Sequence, residues 1–162
     1  MKRRDKVNYY LDIADTVSER STCMRLHYGA IIVQSDEIVA TGYNGAPRGR
    51  KNCSELGSCV RMKMGIPSGE RYELCRSVHA EANAIISAAR RETIGADLYL
   101  ACRDAATGEL LGGRTSCSMC RRLIINAGIK RVFIRETGDE YSVVDVEKDW
   151  IEEDDSLPGN HE

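Results

Sequence analysis

Apolar and polar residues near the start of the chain recur with the period of a helix. The apolar positions fall three or four residues apart, at Val7, Tyr10, Leu11, Ala14 and Val17. This spacing places them on one face, so we predict an amphipathic helix over residues 6–20. We interpret this helix as scaffold, because its pattern contains no catalytic or metal-binding motif.

Short runs of β-branched and apolar residues predict the strands of a sheet. Residues 30–33 and 38–40 flank Ser35-Asp36-Glu37, which is the pattern of a hairpin with a tight turn. Further strands are predicted at residues 96–101 and 130–134.

The final strand follows after a very short connection. Only Thr137-Gly138-Asp139-Glu140 separates residues 132–134 from the apolar run at residues 141–146. A crossover to a parallel strand needs about a dozen residues or more. We therefore expect the last two strands to be antiparallel.

Helical patterns lie between the predicted strands. One covers residues 78–91, and another covers residues 118–127 and ends at Gly128, a suitable C-cap. Strands that alternate with helices are typical of α/β proteins. We predict a three-layer α/β/α fold with a mixed sheet of about five strands.

Length and composition favour one domain without a membrane or nucleic-acid partner. The 162 residues fit a single domain, predicted at residues 1–150, followed by an acidic, flexible tail at residues 151–162. The charged start has no apolar run typical of a signal peptide or membrane span, so we expect a cytoplasmic protein. The net charge of −2 provides no general attraction for nucleic acid.

Two short motifs supply the parts of a catalytic zinc site. His79, Cys117 and Cys120 offer one nitrogen and two sulfur ligands, and a catalytic zinc keeps three protein ligands. Glu81 lies two residues after His79 and is the natural proton carrier. The count of seven cysteines is odd, which favours metal ligands and free thiols over disulfides.

These motifs resemble those of the zinc-dependent cytidine and deoxycytidylate (dCMP) deaminases. The resemblance extends through Ser21-Thr22-Cys23-Met24-Arg25, Ala40-Thr41-Gly42-Tyr43-Asn44-Gly45-Ala46-Pro47-Arg48-Gly49 and Val78-His79-Ala80-Glu81-Ala82-Asn83-Ala84-Ile85. It covers about residues 5–135. It implies a cytidine-deaminase-like fold and zinc-dependent hydrolysis of dCMP to dUMP and ammonia, which supplies dUMP for thymidylate synthesis.

The resemblance also implies roles for individual residues. Glu81 would carry protons from water to N3 of cytosine and to the amine that leaves C4. Asn44 would hold the substrate sugar, and Ala80 would line the substrate site. Arg25 and Arg48 would offer cationic N–H donors to the 5′-phosphate.

Other functions stay open at this point. The alternatives are deamination of cytidine, dCTP, a modified dCMP or adenosine in tRNA, and a zinc-stabilised binding module without activity. The resemblance implies dCTP and dTTP as effectors and a homo-oligomer, with Arg90 as a candidate for an effector or subunit contact. A hexamer is in doubt, because many related enzymes insert a helix before the last strand and run the last two strands parallel.

Four further cysteines form a second candidate site. The resemblance implies a structural zinc held by Cys23 and Cys53, which Cys59 and Cys75 would complete. His27 could replace one of these ligands. Ordinary free cysteines are the alternative, because the spacings match no compact zinc finger.

Two features depart from the family pattern. Ser116 stands where the family usually has proline, and we expect it to cap the following helix. Residues 102–114 are longer than the resemblance predicts and contain three glycines, so we expect a flexible flap beside the site.

Overall fold

The sheet begins at a two-residue turn in the computed structural model, which describes residues 1–153. Ser35 and Asp36 have φ angles of 50° and 63°, the conformation that matches the twist of hairpin strands. They join β1 (Leu26–Gln34) to the antiparallel β2 (Glu37–Tyr43). The predicted hairpin is confirmed, and both strands are longer than predicted.

Three further strands complete a mixed sheet in the order β2-β1-β3-β4-β5. They are β3 (Asp97–Asp104), β4 (Arg131–Arg135) and β5 (Tyr141–Asp145). β3 is antiparallel to β1 and parallel to β4, whereas β4 and β5 are antiparallel. The predicted mixed sheet and the predicted antiparallel final pair are both confirmed.

Six α-helices lie among the described residues: α1 (Lys6–Ser18), α2 (Cys53–Leu56), α3 (Val60–Lys63), α4 (Ala80–Ser87), α5 (Arg90–Thr93) and α6 (Ser118–Ala127). The last of them ends at Gly128, whose φ is 78°, as its glycine predicts. The predicted first helix is confirmed, although it stops two residues early.

The sheet separates two apolar layers. Leu11 and Ala14 of α1 pack on one face, whereas Ala84 of α4 and Ile124 of α6 pack on the other. Successive side chains of a strand point to opposite faces, and the strands at the centre are buried on both sides. The predicted three-layer α/β/α architecture is confirmed.

The helix predicted at residues 78–91 is wrong in its bounds. Ala88 and Ala89 adopt extended backbone with ψ of 153° and 152°, which separates α4 from α5. The Glu92 carboxylate accepts a hydrogen bond from the Ala89 N–H at 2.7 Å and so begins a new helix. At the other end, His79 is the N-cap, so α4 begins at Ala80.

The described chain ends in a π-helical segment, Val146–Glu152. Trp150 packs against the core, and the Arg121 guanidinium lies 5.2 Å from the centre of its ring. Residues 154–162 of the predicted tail lie outside the described residues, and the domain boundary at residue 150 stays a prediction.

None of the helices in residues 1–153 has the length and apolar character to cross a membrane.

Candidate active site

Two helix starts bring the candidate ligands together. His79 is the N-cap of α4, and Cys117 is the N-cap of α6, where its sulfur accepts a hydrogen bond from the Cys120 N–H at 3.5 Å. Helix N-termini carry partial positive charge, which favours thiolate over thiol. Ser116 was predicted to cap α6; this is wrong, because Cys117 takes the cap position.

β2 fixes the start of α4. Gly42 allows the strand to pass directly beneath the helix, since a Cβ there would lie 2.3 Å from the Ala80 carbonyl oxygen. The Asn83 side chain donates to the Tyr43 carbonyl at 2.8 Å. The position of His79 therefore depends on backbone contacts between regular elements.

The three predicted ligand atoms form a compact cluster. His79 Nδ1 lies 3.5 Å from Cys117 Sγ and 3.4 Å from Cys120 Sγ. Tetrahedral zinc bonded to such atoms would hold them roughly 3.5 to 3.8 Å apart. No other group of three or more histidine, cysteine or carboxylate ligands converges within 4.8 Å in residues 1–153. The donor set and spacing therefore fit a zinc ion that keeps a fourth position open.

The charge of the cluster is suited to a cation. A hydrogen bond from Cys120 lowers the pKa of Cys117 to about 4, although burial opposes this shift. Burial lowers the pKa of His79, but hydrogen bonds with Cys117 and Cys75 outweigh it and raise the pKa to about 10. The raised pKa of His79 reflects negative charge on the neighbouring thiolate, which a metal cation would neutralise.

Glu81 lies in the first turn of α4 and faces the same space. Its side chain is 4% exposed, and burial raises the pKa of its carboxyl group. It is not part of the ligand cluster. A buried carboxyl group that is close to the metal but does not bind it can carry protons.

A cavity of about 260 Å³ opens above the cluster and contains both Glu81 and His79. Three predicted substrate residues, Arg25, Asn44 and Ala80, line it. Arg48 is exposed and does not line the cavity, and its contact with a phosphate stays a prediction.

Asn44 is buried and already hydrogen-bonded. Its Oδ1 accepts from the Ser21 hydroxyl at 2.6 Å and from the Tyr28 N–H at 2.9 Å, and its Nδ2 donates to the Leu26 carbonyl at 2.8 Å. These bonds fix the amide at the edge of the cavity and leave one N–H of Nδ2 for a ligand. Its contact with a sugar stays a prediction.

A family model described as the cytidine and deoxycytidylate deaminase zinc-binding region matches residues 4–136. The chain belongs to this family. It is 38% identical over 137 residues to the deoxycytidylate deaminase of Mycobacterium phage D29, covering 82% of this chain and 95% of the phage protein. It is 34% identical over 125 residues to the deoxycytidylate deaminase of Schizosaccharomyces pombe, covering 77% of this chain and 35% of the yeast protein.

A solved deaminase has the same fold. The dCMP deaminase of cyanophage S-TIM5, crystallised with dCMP and dUMP, superposes with a TM-score of 0.56 at 26% identity and covers 82% of each chain. The chain thus spans nearly all of the phage D29 relative and about a third of the yeast relative. The deaminase fold and the zinc-binding character predicted from the motifs are confirmed.

The four cysteines of the predicted second site do not form a compact group. Within residues 1–153, Cys23, Cys53, Cys59 and Cys75 do not bring three ligand atoms within 4.8 Å of one another. They are nevertheless neighbours, since burial and then Cys23, Cys59 and Cys75 raise the pKa of Cys53. Cys23 and Cys75 also line the catalytic cavity. The structural zinc stays a prediction.

The position of Arg90 is remote from the cavity. Its guanidinium donates to the Asn126 carbonyl at 2.8 Å and so joins the start of α5 to α6. An effector or subunit contact at Arg90 stays a prediction.

The segment predicted as a flexible flap is tied down by its backbone. Leu111 N–H donates to the Cys102 carbonyl at 2.9 Å, and Gly113 N–H donates to the Arg135 carbonyl at 3.1 Å. Gly112 passes so close to β4 that a Cβ would lie 2.1 Å from the Glu136 carbonyl oxygen. These contacts fix the backbone of the segment up to Gly113, and the next residue, Arg114, lines the cavity.

The sequence reasoning gave no place in the cavity to several of the residues that line it, among them Arg61, Tyr72, Arg114 and Ser116. Arg61 and Tyr72 belong to residues 51–75, where only the length of the loop signalled a function. Ser116 is 2% exposed, and its hydroxyl is the one buried side-chain oxygen or nitrogen without a hydrogen-bond partner in the described part of the chain. The presence of Ser116 where the family usually has proline was the one sign in the sequence that this position is unusual.

Proposed function

We propose that this protein is a zinc-dependent deaminase that converts dCMP and water to dUMP and ammonia. One observation carries the proposal: a buried carboxyl group, several arginines and two of the three candidate zinc ligands, His79 and Cys117, line the same cavity. A structural zinc site has no need of Glu81, so this arrangement supports an enzyme over a binding module. The phage and yeast relatives, which are named deoxycytidylate deaminases, support dCMP as substrate.

Each residue of the cluster has a defined task. His79, Cys117 and Cys120 would hold the zinc, which lowers the pKa of a bound water to near 7 and so supplies a nucleophile at neutral pH. Glu81 takes the proton that the water gives up as its oxygen adds to C4 of cytosine. The carboxyl group delivers this proton to N3, then takes the second proton from the new C4 hydroxyl and passes it to the amine, so that the C4–N bond breaks and ammonia leaves as the C4 carbonyl forms.

The arginines of the cavity provide the selectivity for a nucleotide. Arg25 follows the Ser-Thr-Cys segment and shares the cavity with Asn44 and Arg114. A phosphate dianion gains charge-assisted hydrogen bonds from guanidinium groups. We propose Arg25 as the principal phosphate contact, together with Arg114, because both line the cavity, and we rank the exposed Arg48 below them.

The proposal extends to regulation and assembly. Nucleotides do not cross membranes unaided, so a dCMP deaminase would work in the cytoplasm. We keep dCTP and dTTP as proposed effectors. A homo-oligomer is supported by exposed apolar side chains on α4 and α6, where Ile86 is 66% and Leu123 is 41% exposed; a hexamer is one candidate.

Ammonia release from dCMP, dCTP, cytidine and deoxycytidine tests the function. We expect dCMP to have the highest kcat/KM, with the Glu81→Gln protein as the inactive control. Equal values for dCMP and deoxycytidine would contradict the nucleotide proposal and favour the cytidine alternative. No ammonia from any of the four by a zinc-loaded protein would contradict the enzyme proposal.

A further inference from the structure

Arg61 is a buried charge without a buried counter-charge. Arg61 is 5% exposed and forms no ion pair within residues 1–153, although the exposed Glu73 is near enough for Arg61 to contribute to lowering the pKa of its carboxyl group. The other buried arginine in this part of the chain, Arg135, pairs with Asp12. Burial of an unpaired guanidinium is costly, so the contacts that Arg61 does make indicate what it is for.

Those contacts all go to one short segment. Arg61 Nε donates to the Glu70 carbonyl at 3.1 Å, and Nη2 donates to the Pro67 carbonyl at 3.0 Å. The guanidinium also lies 4.3 Å from the centre of the Tyr72 ring, within the range of a cation–π interaction. One side chain thus satisfies two carbonyls and covers an aromatic face.

Residues 67–72 depend on tertiary contacts for their conformation. Arg71, immediately before Tyr72, has a φ of 51°, a left-handed conformation that costs free energy in a residue other than glycine. No strand or long helix crosses residues 64–76. Tertiary contacts must therefore hold Tyr72 in place.

Tyr72 in turn contacts the metal-ligand histidine. The two rings meet edge to face, with centroids 4.8 Å apart and an interplanar angle of 87°. Both side chains line the catalytic cavity. Contacts between side chains thus connect Arg61 to Tyr72 and Tyr72 to His79.

We propose that Arg61 is a positioning residue that holds Tyr72 against His79 and thereby fixes the orientation of the imidazole ligand. The inference rests on the proposed zinc site. It assigns a role to residues 60–74 that is separate from any structural zinc: they form one wall of the cavity. Groups that orient metal ligands commonly affect metal affinity or activity by about 10- to 100-fold.

A competing role for Arg61 is a direct phosphate contact, because its side chain also borders the cavity. The two roles differ in their effect on substrate preference. Loss of a phosphate contact lowers kcat/KM for dCMP and spares deoxycytidine. Loss of a positioning residue lowers kcat for both substrates by the same factor.

The test uses the zinc-loaded full-length protein and the variants Arg61→Lys, Tyr72→Ala and Tyr72→Phe. Lysine keeps the charge but loses the planar fork, and phenylalanine keeps the ring without the hydroxyl. Arg131→Lys is the matched control, because Arg131 lies 5.3 Å from the centre of the Phe133 ring, outside the cavity. The measurements are kcat and KM for dCMP and deoxycytidine, and the rate of zinc transfer to an excess of chelator.

We expect Arg61→Lys and Tyr72→Ala to lower kcat about tenfold for both substrates and to speed zinc loss by about tenfold. Tyr72→Phe keeps the ring contact with His79, so its rate of zinc loss should lie closer to that of wild type than the rate for Tyr72→Ala does. Arg131→Lys should stay within about twofold of wild type in every measurement. Unchanged zinc loss in both Arg61→Lys and Tyr72→Ala would overturn the proposal, and so would a selective loss of dCMP activity in Arg61→Lys. If Arg61→Lys fails to fold, the two Tyr72 variants decide. Zinc loss is measured without substrate, so a failure here is distinguishable from a failure of the deaminase proposal.

Discussion

The two groups of cysteines in this protein have different structural settings. Cys117 and Cys120 lie at the start of α6 and meet His79 at the start of α4, and both helices pack on the central sheet. Cys53 and Cys59 lie at and near short helical turns in a long connection, and their sulfurs do not converge with those of Cys23 and Cys75. Ligands that regular elements position are assembled by the fold itself, whereas ligands on connections need another contact to bring them together.

The largest effect should come from removing the ligand histidine. His79→Ala leaves two sulfurs, too few for the three protein ligands of a catalytic zinc. We expect both the catalytic zinc and the turnover to be lost. Metal analysis together with ammonia release measures this, and a His79→Ala protein with full zinc content would contradict the assignment.

Glu81→Gln separates the chemistry from metal binding. The amide keeps the shape of the side chain and leaves the three ligands intact, but it cannot carry the proton. We expect normal zinc content and a fall in kcat of about 10²- to 10⁴-fold. Retained turnover would assign proton transfer to another group.

Substitutions of two arginines test whether the phosphate contact lies in the cavity or on the outer loop. Arg25→Ala should reduce the preference for dCMP over deoxycytidine by about ten- to a hundredfold, because a charge-assisted hydrogen bond contributes about 1.5 to 3 kcal/mol. Arg48→Ala is the matched control and should stay within about twofold, since Arg48 lies outside the cavity. Measured kcat/KM values for both substrates decide, and the reverse order of effects would restore the original prediction for Arg48.

Cys53→Ser should affect stability more than catalysis. Cys53 is 7% exposed, and its replacement by a hydroxyl in a buried position should lower the free energy of unfolding by about 1 to 3 kcal/mol. We expect kcat to change by less than about threefold, since Cys53 does not line the catalytic cavity. Chemical denaturation and zinc analysis measure these effects.

The same zinc analysis tests the second site. If Cys23, Cys53, Cys59 and Cys75 hold a structural zinc, wild type should contain about two zinc ions per chain and Cys53→Ser about one. A value of one in both proteins would remove the second site and leave Cys53 as a buried thiol.

Local sequence patterns determined much of the fold. The 3.6-residue period predicted α1, and the connection at residues 137–140 was too short for anything but an antiparallel final pair. These inferences succeeded because spacing and chain reach act over a few residues. The break between α4 and α5 was missed because Ala88 and Ala89 are good helix formers, and their extended backbone depends on surrounding contacts.

The sequence by itself also identified the three candidate ligands, which the structure brings together, and the nearby Glu81, because metal chemistry permits few residue types and the two motifs are short. The tertiary structure alone decided which arginines reach the cavity, since Arg25 and Arg48 flank the same loop and only Arg25 faces inward. It also decided the contacts of Arg61 and Tyr72 with each other and with His79. Contacts of this kind join side chains from loops without periodicity, and their geometry depends on how the whole chain packs around the sheet.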